Sequence, residues 1–126
     1  MVIQESAENY LEAILVLQQK NGVVRAIDVA SMLNFSKPSV SVAMKNFREN
    51  GYIDVSFNGH ITLTDKGREI AEKTYSRHNL IKEILVMIGV SEKSAAEDAC
   101  RLEHGICEET YEKLQEIYFK MKNNGK

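Results

Sequence analysis

The 126-residue sequence predicts a mainly α fold: an N-terminal winged helix-turn-helix over residues 1–73, followed by a helical domain over 74–126. Three observations predict it. Two short apolar-periodic segments flank the turn Asn34-Phe35-Ser36, as in a helix-turn-helix. Two β-branched segments then flank Asn58-Gly59, a strong hairpin signal. Beyond Thr64 the apolar spacing is helical, broken at Gly89 and Gly105.

Each element has a local reason. In Glu5–Gln19, the residues Ala7, Tyr10, Leu11, Ile14, Leu15 and Leu17 mostly follow the i, i+3, i+4 rule of an amphipathic helix. Ser6 is its N-cap, and Asn21-Gly22 ends it. Arg25–Leu33 is a second helix with Ile27, Val29, Ala30 and Leu33 inward. Ser36 caps a third, Lys37–Asn50, which tolerates Pro38 in its first turn because an N–H there has no intrahelical acceptor. That helix buries Val40, Val42 or Ala43, Met44 and Phe47, and Asn50-Gly51 closes it. Tyr52–Phe57 and His60–Thr64 form the wing. Thr64 or Asp65 caps a long helix reaching Ile88; Gly89 ends it. Ser91 caps the next, Glu92–Gly105. A last helix, Glu108–Met121, places Tyr111, Leu114, Ile117, Tyr118 and Met121 on one face, with a fraying tail at Lys122–Lys126.

Composition narrows the class. A hydrophobic content of 44% suits a globular fold of one domain, or a small domain with an appendage. No apolar run approaches the roughly 18 residues needed to span a bilayer. Met-Val-Ile-Gln-Glu-Ser lacks the basic start of a signal peptide. On one helix, Cys100 and Cys107 would lie about 10 Å apart, too far for a disulfide, so a reducing, cytoplasmic setting is expected. The net charge of −2 is unevenly spread. Lys20 to Arg48 carries Lys20, Arg25, Lys37, Lys45 and Arg48 against Asp28 alone, whereas Glu83 to Glu116 carries nine acids against Lys93, Arg101 and Lys113. The first window suits a polyanion, the second a cation.

The most informative segment is Cys100-Arg101-Leu102-Glu103-His104. On a helix, Cys100, Glu103 and His104 at i, i+3, i+4 project from one face. Thiolate, carboxylate and imidazole are all ligands for divalent transition metals. Taken singly, each has a blander role: Cys100 as a buried structural cysteine, Glu103 and His104 as solvated helix residues. Their convergence favours a metal, since charged groups rarely meet on one face without a partner. Cys107 stands where a Ser would cap the last helix and takes no metal role. In the helix-turn-helix, Ser36, Lys37, Pro38, Ser39, Ser41, Val42 and Lys45 open the third helix. Ser and Lys there suit phosphate or base contacts, and Val42 a thymine methyl. Arg25 at the start of the second helix suits a phosphate. His60, near the wing tip, suits a DNA-backbone contact or plain surface.

Over nearly its whole length the chain resembles the diphtheria-toxin-repressor family of metal-dependent repressors (DtxR and MntR), in a short form without the SH3-like domain. The resemblance rests on Glu8-Asn9-Tyr10-Leu11-Glu12, Ser36-Lys37-Pro38-Ser39-Val40-Ser41, Leu63-Thr64-Asp65-Lys66-Gly67, Arg77-His78 and Asp98-Ala99-Cys100-Arg101-Leu102-Glu103-His104. It implies that the helical domain dimerises and that Cys100, Glu103 and His104 form the primary metal site, with Cys as in the iron-responsive branch. It adds Glu12 and His78 from the manganese-type site. Asn9 falls where that branch has Asp. Lys82 and Ala96 replace two ligands of the iron branch's ancillary site, which is therefore missing. The implied cofactor is Mn(II) or Fe(II), with Zn(II) or Co(II) open: the thiolate favours softer ions, and Glu12 with Asn9 harder ones.

The resulting expectation is a homodimeric, metal-activated repressor of metal homeostasis, bound to double-stranded DNA at a pseudo-palindromic operator and to no membrane. Two alternatives stay open. One is a metal-independent winged-helix regulator with a vestigial site, suggested by Asn9. The other is a metalloenzyme, against which stands the lack of a nucleophile elbow, a Gly-rich phosphate loop or an HExxH pattern.

Overall fold

The structure, a computed structural model, describes residues 5–124. Their order is α1 (Glu5–Asn21), α2 (Ala26–Leu33), α3 (Lys37–Glu49), β1 (Ile53–Val55), β2 (Ile61–Leu63), α4 (Asp65–Met87), α5 (Glu92–Leu102) and α6 (Glu108–Asn124). They form two compact units, one ending at Lys73 and the other beginning at Thr74. Ser6 lies inside α1 rather than capping it, and the residues ahead of Glu5 fall outside the described range.

The first unit is organised by α1, whose Leu11, Ile14 and Leu15 are buried together with Val29, Val40 and Phe47. Tyr10 packs edge-to-face on Phe35 and Phe47, with centroids 5.4 and 5.7 Å away. Ile27, expected inward, is exposed. It stands two residues from the buried Val29, which puts it about 200° round the helix. Val42 is exposed for the same reason relative to Val40 and Met44, and Ala43 takes the inner position. Ser36 caps α3 by accepting from the Ser39 N–H (3.3 Å).

β1 and β2 pair antiparallel, Ile53 with Leu63 and Val55 with Ile61. They are shorter than the sequence suggested because Ser56 to His60 form the connection. The Gly59 N–H donates to the Ser56 carbonyl (2.9 Å) and Gly59 alone turns left-handed, at φ +85°. The turn is thus a single one ending in glycine, not an Asn58-Gly59 pair with both φ positive. Phe57 stands fully exposed at its tip. The Ile61 N–H donates to the Val24 carbonyl (2.8 Å), so the wing is hydrogen-bonded to the loop before α2.

Thr64 is the cap of α4. Its hydroxyl donates to the Gly51 carbonyl (2.7 Å) and accepts from the Gly67 N–H (3.2 Å). Lys66 donates to the Asn50 carbonyl (3.2 Å) and lies 4.3 Å from the Tyr52 ring centre. Gly67 is required by contact: a Cβ there would lie 2.0 Å from the Tyr52 carbonyl oxygen.

In the second unit α4 stops at Gly89, where the Val90 N–H returns to the Leu85 carbonyl (2.9 Å). Ser91 caps α5 through the Ser94 N–H (3.3 Å). Helix α5 ends at Leu102, not Gly105, and residues 103–105 form a turn. Helix α6 continues past Met121 to Asn124; residues 125–126 of the expected tail lie outside the described range. Ala95, Ala99 and Tyr111 are buried, while Ile117, expected on the packed face, is exposed because it flanks the line through Tyr111, Leu114 and Tyr118. Ile81, Ile84, Leu85, Leu102, Ile106 and Leu114 line an apolar hollow of about 180 Å³. Among the described residues, no helix is long and apolar enough to cross a membrane.

Replacing Gly67 by alanine should destabilise the first unit by about 1–3 kcal/mol, the usual cost of forcing volume into a packed contact. Urea unfolding of the variant against wild type measures it; an unchanged midpoint would contradict the close approach.

Candidate metal centre and nucleic-acid face

In the second unit, His78 from α4 and His104 from the turn after α5 both approach Glu103, the C-cap of α5. The Glu103 side chain is 0% exposed and that of His104 is 4% exposed. His78 Nδ1 lies 3.0 Å from Glu103 Oε2, and His104 Nε2 lies 3.2 Å from Glu103 Oε1. The second approach is close enough for an ion pair but is not aligned as a hydrogen bond. Among the described residues, Oε1 is left buried without a hydrogen-bond donor. A carboxylate taken out of water is costly unless a cation compensates it. One buried carboxylate with an orphaned oxygen, flanked by two imidazoles, fits a divalent transition metal.

Arg77 shapes the turn. Its Nη1 donates to the carbonyls of Glu103 (3.3 Å) and Ile106 (3.1 Å), and its Nη2 to Glu108 Oε1 (3.0 Å). A side chain that takes carbonyls at a helix C-terminus replaces the helix's own next bonds. Arg77 thus holds the turn that follows α5. Cys100 sits exposed in the last turns of α5, and Glu103 is the C-cap of that same helix, still helical, with its N–H on the Ala99 carbonyl (2.9 Å); His104 lies in the turn that follows. Cys100 and Cys107 form no disulfide. The turn between them replaces the single helix on which their separation was reckoned. Cys107 precedes α6, and hydrogen bonds from the Thr110 hydroxyl and backbone hold its thiol below the ordinary range.

The other residues of interest lie in the first unit. Asn9 and Glu12, three apart and half-buried, share one face of α1. On α3, Lys37, Pro38, Ser39, Ser41, Val42 and Lys45 are all exposed. The Ser36 hydroxyl donates to Ser39 Oγ (2.8 Å), so it is already engaged in capping. Arg25 Nη2 lies 3.1 Å from His60 Nε2, which joins the start of α2 to the wing. With Nε2 as acceptor, the ring proton sits on Nδ1. Sequence reasoning did not single out Arg77, whose partners lie 26 to 31 positions further along the chain.

Two protein-family models match the chain: "Iron dependent repressor, N-terminal DNA binding domain" over residues 3–61, and "Iron dependent repressor, metal binding and dimerisation domain" over residues 64–125. The chain belongs to the iron-dependent repressor family, that of DtxR and MntR. It is similar to an HTH-type transcriptional regulator of Methanocaldococcus jannaschii, with 36% identity over 96% of this chain and 98% of that one. It is also similar to the transcriptional regulator MntR of Escherichia coli, with 32% identity over 85% and 69%. Among solved structures, IdeR of T. acidophilum matches with a TM-score of 0.80 at 24% identity, over 94% of this chain and 55% of that one. A manganese-dependent transcriptional repressor in complex with manganese matches with a TM-score of 0.81 at 26% identity, over 89% and 52%. The chain thus spans about half the length of these two structures. Membership in the family makes it a transcriptional regulator with a DNA-binding domain followed by a metal-binding and dimerisation domain. The family models divide between residues 61 and 64, whereas the compact units divide within α4, after Lys73.

Glu103→Gln removes the buried charge but keeps the shape. The variant should be at least as stable as wild type without metal. It should lose the stabilisation that wild type gains with Mn(II) or Co(II), about 2.7 kcal/mol at an ion concentration a hundred times Kd. Thermal unfolding with and without each ion reads both halves. Equal metal-induced shifts in the two proteins would remove Glu103 from the site.

Proposed function

We propose that this protein is a metal-activated repressor in which Glu103, His104 and His78 hold one divalent transition metal and α3 reads operator DNA. The observation that carries the reading is the orphaned, fully buried Glu103 carboxylate between two imidazoles. When bound, the ion supplies positive charge and fixed coordination at that carboxylate. Glu103 offers the anionic oxygen, and His78 and His104 offer neutral nitrogens. The ligand set proposed from the resemblance also includes Cys100, Glu12 and Asn9. Metal occupancy shifts the population toward the DNA-binding conformation, and by linkage DNA strengthens metal binding.

On the DNA side, Lys37, Lys45 and Arg25 take phosphates, with Arg25 steadied by His60. Ser39 and Ser41 supply hydroxyls, and the exposed Val42 meets a thymine methyl. Ser36 and Pro38 set the start of α3 rather than contact bases. A two-fold dimer requires a pseudo-palindromic operator. A DNA partner places the protein in the cytoplasm, as a regulator and not an enzyme. The ions considered are Mn(II) and Fe(II), then Co(II) and Zn(II).

The test is fluorescence anisotropy on a duplex selected from a random pool in the presence of metal. His104→Ala should lose the metal-stimulated part of binding while keeping its fold by circular dichroism. Retained stimulation would overturn the assignment. Lys45→Ala should weaken binding to all duplexes and flatten the salt slope by about 0.9 for the one phosphate lost. An unchanged slope would take Lys45 off the DNA.

Metal choice has its own test. Cys100→Glu exchanges a soft ligand for a hard one. The ratio of Co(II) to Mn(II) concentrations needed for activation should rise in the variant. A constant ratio would mean that Cys100 does not select the ion.

A further inference from the structure

His78 and Arg77 are consecutive on α4, and they grip the same residue at its two ends. His78 reaches the Glu103 carboxylate at 3.0 Å, while Arg77 reaches the Glu103 carbonyl at 3.3 Å. The Arg77 guanidinium also holds the Ile106 carbonyl and Glu108, and lies 5.0 Å from the Tyr111 ring centre. Its side chain is 12% exposed, and its Nε is buried without an acceptor among the described residues. A buried donor left unsatisfied is costly. The orientation of this arginine is therefore set by the turn it holds, not by its own hydrogen-bonding needs.

The turn runs against local preference. The sequence from Glu92 favours helix as far as Gly105. In the structure Glu103 is the C-cap of α5, its N–H still on the Ala99 carbonyl (2.9 Å), and the chain turns at His104 and Gly105, where Arg77 holds the carbonyls of Glu103 and Ile106. A guanidinium presents its donors in a fixed planar fork that spans two carbonyls and a carboxylate, whereas a lysine ammonium is a compact charge on a flexible stem.

We propose that Arg77 is the positioning residue of the metal centre. It holds residues 103–106 in the turn that presents the Glu103 carboxylate to His78 and His104, using Glu108 and Tyr111 of α6 as its anchor. This rests on the metal-site reading given above.

The experiment measures Co(II) affinity by competition with a fluorescent chelator, the Co(II) ligand-field spectrum, and the unfolding midpoint of the metal-free protein. The variants are Arg77→Gln, Arg77→Lys and a packing control, Leu114→Ala. Loss of a side chain that orients metal ligands weakens affinity about 10- to 100-fold. Arg77→Gln should show that loss together with a changed spectrum. Arg77→Lys should fall between it and wild type. Leu114→Ala should lower the midpoint yet bind Co(II) like wild type. Co(II) affinity within twofold of wild type and an unchanged spectrum in Arg77→Gln would overturn the inference. So would an equal loss in Leu114→Ala, which would mark the effect as one of stability. His104→Ala run alongside separates the two readings. If it too binds Co(II) like wild type, the site itself is misplaced; if it alone loses Co(II), only the role of Arg77 falls.

Discussion

A carboxylate with no exposed surface cannot stay ionised in a protein interior unless something cationic answers it. Glu103 is in that position, and the second unit is arranged around it. Two imidazoles approach its two oxygens, and one of those oxygens has no hydrogen-bond donor among the described residues. A hydrogen-bonded core would have closed that gap with a hydroxyl or an amide.

The backbone around Glu103 serves the same end. Helix α5 ends at Leu102 with Glu103 as its C-cap, and Arg77 holds the carbonyls of Glu103 and Ile106 in the turn that follows. The guanidinium also reaches Glu108 and Tyr111 at the start of α6. One side chain on α4 thus connects the turn to the helix that follows it.

The first unit follows a different logic, that of short contacts at the ends of elements. Thr64, Lys66 and Gly67 meet Asn50, Gly51 and Tyr52, so the start of α4 closes on the chain that leaves α3. Arg25 meets His60, and Val24 meets Ile61, tying the wing to the entry of the helix-turn-helix. The exposed polar face of α3 stands on this frame.

The sequence by itself determined the eight elements and their order, because apolar periodicity and the caps at Ser36, Ser91 and Thr64 act over three or four residues. It also brought out Glu103 and His104 by their spacing from Cys100, although His104 lies just past the end of that helix. His78 came only through the resemblance, and Arg77 was seen there only as part of a motif. Their partners lie 25 to 31 positions away, and such contacts leave no local pattern. The inner faces of α2 and α6 also depended on the fold: Ile27 and Ile117 are apolar and fit a helical count, yet lie outside the packed lines. Only the tertiary structure decided where α5 stops, which of the candidate ligands turn inward, and what holds them there. Each of those outcomes is a competition between local hydrogen bonds and a side chain arriving from another helix.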